Sequence, residues 1–580
     1  MPQTQRRAMN LTRAVLTGTL AVAVVGTTLA LGTRQDDYRF FDPLIDVKAM
    51  IDRYYVNEVD DAKLQQAAID GMLGVLGDPY TVYVPPVEQR DFDKSLMGQY
   101  VGIGAEVNKP GENLIIVSPM DGSPAWKAGI MAGDEITAID GDPTSEMTAD
   151  DCVDRLMGTP GTPVTVTVDR DGEMLEITIV RNRIQVQAVK GVHREAGDDG
   201  AWRFLIDPDD NIAYIRLTQF TPGCAAEIAR AIQTARQEAG GELGGLVLDL
   251  RWNPGGLLDE AIRIADLFLD EGTIVSTKGR AYPEQKAQAH EAGTLPSFPM
   301  AVLINGSSAS ASEVLSGALV ENGRAVTVGE RTFGKGSVQS VKSLSGGAGV
   351  VKMTEQAYYL PSGRNIHRLD DSASWGVDPT PGFFVPMTND EVLESWRVRR
   401  EQEILRGPNV PADPDAEPEN WVDREWVLNY LADEQLASGV RAVEQRIASG
   451  EWPEAPSDAA ALNIDQEMLL AASKQKERLL RELERVDRRI TAISTRVEDV
   501  DEVEAAMDLW PDDAEIVGGE LVVKDASGNT VSTLRITGEN IERWLIDAGV
   551  EPIEGDEPED PAHSPADSSA ADQGQDENGG

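Results

Sequence analysis

Between Asn211 and about Pro381, short continuous apolar runs alternate with amphipathic stretches of helical period. Ile212–Leu217, Leu246–Leu250 and Met300–Ile304 are apolar at nearly every position, the pattern of strands buried on both faces. Ala225–Glu238, Leu257–Phe268 and Ser310–Val320 read as helices, with Ile228 and Ile232 one turn apart in the first. That rhythm restricts the region to an α/β domain whose sheet is covered on both sides.

On the N-terminal side the texture changes twice. Tyr38 to about Phe92 is helical, with apolar positions at Leu44, Val47, Ile51 and Tyr54, then at Leu64, Ala67, Met72 and Leu76 before the break Gly77-Asp78-Pro79. From Gly98 to Arg183, β-branched runs at Leu114–Val117, Ile136–Ile139, Val164–Val168 and Leu175–Val180 predict strands, the last two joined as a hairpin by Asp171-Gly172. Ala149–Leu156 is the one longer helix among them. The resulting division is an N-terminal helical region (35–95), a mostly β module (96–187), the α/β core (188–388) and a helical extension (389–550). Within the extension, 468–500 carries a coiled-coil-like stripe (Leu479, Leu483, Val486, Ile490, Ile493, Val497, Val500), and 520–537 reads as a small hairpin. Residues 551–580 are rich in acids, lack Lys and Arg, and are expected to be disordered.

Residues 1–34 read as an address or an anchor. Arg6, Arg7 and Arg13 precede an uncharged apolar run, Ala14–Leu31, which fits a signal peptide or a membrane anchor and implies export to the periplasm or cell envelope, with anchoring to the inner membrane if it is retained. Any membrane contact is expected through residues 14–31 alone. The chain as a whole is strongly acidic: 99 Asp and Glu against 52 Lys and Arg give a net charge of −47, which argues against nucleic acid as a partner. Two cysteines, Cys152 and Cys224, and four scattered histidines, His193, His290, His367 and His563, supply no metal-ligand spacing. No metal and no cofactor are expected, and hydrolytic chemistry would need a base other than histidine. His367 could sit near the site, but reads more readily as a surface histidine.

Three segments of the α/β region concentrate chemistry. Asp249-Leu250-Arg251-Trp252-Asn253-Pro254-Gly255-Gly256 is a buried strand running into a turn whose glycines can turn backbone N–H groups toward a ligand. Asn305-Gly306-Ser307-Ser308-Ala309-Ser310-Ala311-Ser312-Glu313 is again strand, small-residue turn and helix. A serine there would have an exposed hydroxyl and free neighbouring N–H groups, the two needs of an acyl-transfer nucleophile. Ser310-x-x-Glu313 equally matches a capping box. Gly329–Gln339 holds Lys335 between glycines, where close packing would desolvate it and lower its pKa from about 10.4 toward the range of a general base.

These blocks, in this order, resemble the C-terminal processing peptidases, exported serine proteases with an embedded PDZ module. The resemblance runs from about Tyr38 to Pro381 and includes Tyr359-Leu360-Pro361-Ser362-Gly363-Arg364. It implies a ClpP/crotonase-like α/β protease core with an embedded PDZ domain. Among the serines it selects Ser310 as nucleophile, with Lys335 as general base, Gln339 as the residue that orients the lysine, and the N–H groups of Gly256 and Ala311 as oxyanion hole.

The module in front resembles a PDZ domain. Gly102-Ile103-Gly104-Ala105 matches its carboxylate-binding loop, and Pro124–Ile130 and Gly133-Asp134-Glu135-Ile136 match its other pieces. Successive N–H groups in such a loop form a nest for a terminal carboxylate, and the peptide adds as a strand near Ala105–Val107, beside the helix Ala149–Leu156. The expected function is an exported serine endopeptidase acting on unstructured or C-terminal segments of envelope proteins. Expected partners are proteins with accessible C-termini, an adaptor or activator, and a second copy through 468–500. The alternative is a catalytically silent PDZ scaffold. The extension after Asp390 lies outside the resemblance and is open to activator docking, oligomerisation or bracing of the core.

Overall fold

The structure is a computed structural model that describes residues 39–89, 98–195, 201–369, 374–405 and 423–453, with isolated positions between them and further positions at 469–488 and 520–535. The chain divides into two compact units, 1–470 and 471–580.

At the centre of the first unit, Ile212–Leu217, Gly245–Asp249, Met300–Ile304 and Val326–Gly329 form a parallel sheet in that order. Val189–Lys190 and Leu205–Asp207 add antiparallel partners to its first strand. Both faces are buried, as the unbroken apolar runs require. Alternate residues (Ala213, Ile215, Leu246, Leu248, Val302, Ile304) pack on the helices Cys224–Glu238, Leu258–Phe268 and Ala311–Glu321. The intervening ones (Ile212, Tyr214, Val247, Ala301, Leu303, Val328) pack on Val427, Leu431, Leu436, Val440 and Val443 of the C-terminal helices Arg424–Leu431 and Glu434–Ser449. The approach is close: a Cβ on Gly439 would lie 2.8 Å from Leu303 Cδ2. Of the roles open to the extension, bracing the core is one that the described helices Arg424–Leu431 and Glu434–Ser449 perform, since without them one face of the sheet is bare.

A second sheet flanks this one, in the order Val82–Val84, Val350–Tyr359, Thr273–Lys278, Gln285–Gln288, with Ser337–Ser343 also paired to Val350–Tyr359. Its first strand departs from the expectation that 38–92 is helical throughout. The helices Asp42–Tyr54 and Asp61–Gly74 are present, but Val82–Val84 pairs antiparallel with Val350–Lys352. Pro79 stops the helix, and the β-branched and aromatic run Thr-Val-Tyr-Val then meets an open sheet edge.

The mostly β module is a five-strand sheet, Ala105–Asn108, Leu114–Pro119, Glu135–Ile139, Pro163–Arg170 and Glu173–Val180, with Asp142–Pro143 as an extra pairing. Asp171 (φ 54°) and Gly172 (φ 86°) make the tight hairpin turn between the last two strands. The helix Ala149–Leu156 begins at a reciprocal cap between Thr148 and Asp151 and buries Cys152 and Leu156 against the sheet. The helix Asn389–Glu403 ties this module to the core: Arg400 pairs with Glu106, Leu405 donates to Ser118 Oγ at 2.9 Å, and Glu403 pairs with Lys190 and Arg216.

In the second unit, Glu520–Lys524 and Thr530–Arg535 form the expected antiparallel hairpin. Leu479, Leu483 and Val486 of the apolar stripe are at helical, exposed positions, while Ile490, Ile493, Val497 and Val500 lie outside the described residues. The N-terminal segment 1–34 and the acidic tail also lie outside them. Among the described residues no helix is long and apolar enough to cross a membrane.

Candidate active site

Two loops at the carboxyl end of the parallel sheet build one half of the site. The strand Gly245–Asp249 runs into Trp252, whose N–H donates to Asn305 Oδ1 at 3.0 Å, so the first loop hangs on the second. Asn253 accepts the Ala309 N–H (3.0 Å) and the Ser312 hydroxyl (2.9 Å) on its backbone oxygen, and its side-chain oxygen receives the Gly255 N–H at 2.9 Å. Ser308 Oγ donates to the Leu250 carbonyl at 2.8 Å. Gly255 (φ 97°) fits because nothing larger can: a Cβ there would lie 2.7 Å from Ser310 Cβ and 2.9 Å from Ala311 N. Among the described residues no acceptor takes the N–H of Gly256 or of Ala311.

Ser310 stands immediately before the helix Ala311–Glu321 with φ 57° and ψ −113°, a backbone state that costs a non-glycine residue about 1–3 kcal/mol. The capping-box spacing has a defined outcome here. The Ser310 N–H donates to Glu313 Oε2 at 2.7 Å, and the Glu313 N–H is taken by the Ser310 carbonyl at 2.9 Å. The helix start is thus held by the Glu313 carboxylate and the Ser310 carbonyl, and the buried Tyr358 lies beside the serine.

Glu313 is wholly buried and also receives the third segment. Its Oε1 accepts the Thr332 hydroxyl (2.6 Å) and the Gly334 N–H (2.7 Å), and its Oε2 accepts the Lys335 N–H (2.8 Å). Burial pushes its carboxyl up, and these hydrogen bonds pull the other way. The glycines beside the lysine permit this packing: a Cβ on Gly334 would lie 2.8 Å from Trp375 Cδ1, and one on Gly336 would lie 2.6 Å from His367 N. Tyr358 closes the arrangement by donating to the Lys335 carbonyl. Burial, then the ammonium group of Lys352, pushes the Lys335 pKa down to about 8, against the opposing pull of Glu313 and Asp78. The lysine is thereby brought to the range where it can take a proton near neutrality.

The structure brings Ser310, Lys335, Gly256 and Ala311 to neighbouring loops, but among the described residues no hydrogen bond joins Ser310 Oγ to Lys335 Nζ. The Gln339 side-chain amide donates to Ser337 Oγ at 2.8 Å and Thr354 Oγ1 at 3.1 Å, and among the described residues no hydrogen bond joins it to Lys335. His367 is half-buried at the site rather than a surface residue; its Nδ1 accepts the Gly336 N–H at 3.3 Å and its ring meets Tyr80 edge-on at 6.3 Å. Sequence reasoning missed Tyr80, Asp78, Glu313 and Tyr358. Glu313 had a visible signal in the Ser-x-x-Glu spacing, but the others arrive through strand pairing that no local pattern announces.

In the mostly β module, Gly102 ends the strand Gln99–Gly102, which pairs with Asn182–Gln185, and Ala105 begins the edge strand. The carbonyls of Ile103 and Gly104 accept from Ala125 and Met120. Among the described residues their N–H groups have no acceptor, and the outer edge of Ala105–Asn108 has no partner. Asp207, Asp210 and Glu444 bring carboxylate oxygens within 4.8 Å of one another, but Arg424 pairs with both Asp207 and Glu444 and answers their charge.

Residues 211–380 match peptidase family S41, residues 115–170 a PDZ domain, and residues 34–86 the N-terminal domain of the activating protease CtpB. A carboxy-terminal-processing protease of Bartonella bacilliformis is 38% identical over 391 residues, covering 67% of this chain and 84% of that protein. A probable CtpA-like serine protease of Staphylococcus aureus is 33% identical over 363 residues, 61% of this chain and 69% of that protein. Among solved structures, the photosystem II D1 C-terminal processing protease is 26% identical, with a TM-score of 0.34 over 68% of this chain and 92% of that one. The extent of the Bartonella match, with the S41 and PDZ matches falling on the two regions just described, shows that the chain belongs to peptidase family S41, as a carboxy-terminal-processing serine protease with a PDZ domain.

Proposed function

We propose that the chain is an exported endopeptidase that cleaves unstructured or C-terminal segments of cell-envelope proteins with Ser310 as nucleophile and Lys335 as base. The observation that carries this reading is the pairing of a strained serine with a desolvated lysine on one buried carboxylate, Glu313. Neutral Lys335 takes the Ser310 proton as Oγ bonds to the peptide carbonyl carbon. The resulting oxyanion is received by the N–H groups of Gly256 and Ala311. Lys335 then returns the proton to the amine as the C–N bond breaks, and water activated by the same lysine hydrolyses the acyl-enzyme. Among the described residues no hydrogen bond joins Ser310 Oγ to Lys335 Nζ, so the first step requires the serine or the lysine side chain to turn toward the other.

The unpaired edge of Ala105–Asn108 and the free N–H groups of Ile103 and Gly104 support recognition of a substrate or adaptor C-terminus by the PDZ domain. The basic flank and apolar run of 1–34 support export. The test is cleavage of an unstructured protein by the chain lacking residues 1–34, beside Ser310→Ala and Lys335→Ala. Cleavage by the parent alone is the expected result; undiminished cleavage by either variant would reject the site.

A further inference from the structure

The turn Gly77–Thr81, carried in from the N-terminal helical region, also reaches the lysine. It is firmly placed. Asp78 accepts the Tyr80 N–H at 3.0 Å and the Thr81 hydroxyl at 2.6 Å, and Thr81 Oγ1 accepts the Thr354 N–H at 3.0 Å. The strand that follows is paired to Val350–Lys352. This anchoring sets the Tyr80 ring beneath the lysine, with Nζ 4.8 Å from the ring centroid. The same ring meets His367 edge-on, and His367 holds the neighbouring Gly336 N–H. A cation within about 6 Å of an aromatic face is attracted by the ring quadrupole, more strongly where water is excluded.

We infer that Tyr80 is a positioning residue for Lys335, its ring face holding the ammonium group in the resting enzyme and so setting when the lysine is free to act. The inference rests on the assignment of Lys335 as base. The charged and titratable groups facing this lysine are Glu313 on the nucleophile's helix, Asp78 on the turn, Lys352 and Tyr358 on the long strand, and His367 on the loop after it. Glu313 and Asp78 favour the charged form together with the ring, whereas burial and Lys352 oppose it. Removal of the ring face therefore weakens the hold on the charged lysine, while removal of only the phenol oxygen does not.

The test uses the full chain carrying Ser310→Ala, with Tyr80, Tyr80→Phe or Tyr80→Leu. Lys335 is pulse-labelled with acetic anhydride across pH, and the labelling midpoint is read by peptide mass spectrometry, a readout that needs no turnover. The parent midpoint is expected near 8. Tyr80→Leu should lower it by roughly 0.5–1 pH unit, and Tyr80→Phe should leave it in place. An unmoved or raised midpoint in Tyr80→Leu, or an equal shift in both variants, would overturn the inference. Cleavage assays of the parent beside Ser310→Ala separate the two claims. Activity surviving Ser310→Ala rejects the dyad whatever the labelling shows, and a dead Ser310→Ala with an unmoved midpoint rejects only the role of Tyr80.

Discussion

Glu313 Oε2 receives the backbone N–H of Lys335 at 2.8 Å and, on the same oxygen, that of Ser310 at 2.7 Å. One buried carboxylate thus fixes the spacing of two segments that lie 25 residues apart in sequence by number, 310 and 335. Fixing both at the main chain leaves the two side chains free to move, which the proposed chemistry requires.

Glu313→Ala would strand three backbone N–H groups and the Thr332 hydroxyl without their acceptor. Each such buried group costs about 1–3 kcal/mol, less where water enters, so a loss of about 3 kcal/mol or more is expected in urea unfolding. Glu313→Gln keeps the shape but turns an NH₂ toward N–H donors whichever way the amide faces. Both variants should lower cleavage at least about a hundredfold, because displacement of the nucleophile by about 1 Å is enough for that. Full activity in Glu313→Gln would show that the spacing is held by something else.

Lys335 makes opposite demands on activity and on stability. Only its neutral form can accept a proton, so cleavage should fall tenfold per unit as pH drops below about 8 and level off above it. For stability, the folded pKa of about 8 lies below the ordinary 10.5, so folding disfavours the charged lysine. The penalty is absent above pH 10.5, grows as pH falls toward 8, and is complete below that. Lys335→Met should therefore be inactive yet more stable than the parent at pH 7, by at most about 3 kcal/mol, with the difference vanishing near pH 10.5. Thermal melting of the two proteins across that range reads it directly.

Much of this was legible in the sequence, and the limits follow from what sequence patterns encode. Continuous apolar runs mark doubly buried strands, so Ile212–Leu217 and Met300–Ile304 could be bounded to the residue. Asp171-Gly172 requires positive φ and announced its own turn. By contrast Val82–Val84 is a strand only because Val350–Lys352 offers it an edge, and Asp78 and Tyr80 reach Lys335 only as a consequence. Residues more than 250 positions apart leave no local signature. The bracing role of the extension was hidden for the same reason: Val440 and Val443 look like any amphipathic stripe until their partners Val247 and Ala301 are known.

The extension is also joined by charge to the loop that follows the strand Gly245–Asp249. Arg251, two residues past the strand Gly245–Asp249, donates to both oxygens of Asp433 at 2.8 and 2.7 Å and to both oxygens of Asp249 at 2.9 and 2.7 Å. Arg399 pairs with the same two aspartates, which makes a buried set of two cations and two anions. Asp433→Ala would leave two buried guanidinium groups sharing one carboxylate, and a loss of roughly 3–5 kcal/mol is expected. A chain ending at Met387 should fail to fold, since it would lack Asp433 and also bare one face of the sheet. Soluble, active protein from such a chain would reject the brace.

Acid should unfold the protein in a window that a single histidine helps to set. The His193 ring stacks on Trp421, with centroids 4.0 Å apart and 19° between planes, and its buried Nδ1 has no hydrogen-bond partner among the described residues. Burial, then Arg203, lowers its pKa from 6.5 to about 4. Because this base prefers to be neutral in the fold, its part of the stability is complete above pH 6.5 and is lost as pH falls from 6.5 to 4. Asp249 and Asp433 do not confuse this window, since their guanidinium partners hold both carboxyls well below it. His193→Phe keeps the stacking surface and removes the proton site. The stability difference between His193→Phe and the parent should be constant above pH 6.5, then move in favour of the variant by at most about 3 kcal/mol by pH 4. Urea midpoints measured at pH 4, 5, 6 and 7 decide it, and curves that stay parallel would assign the acid sensitivity to other groups.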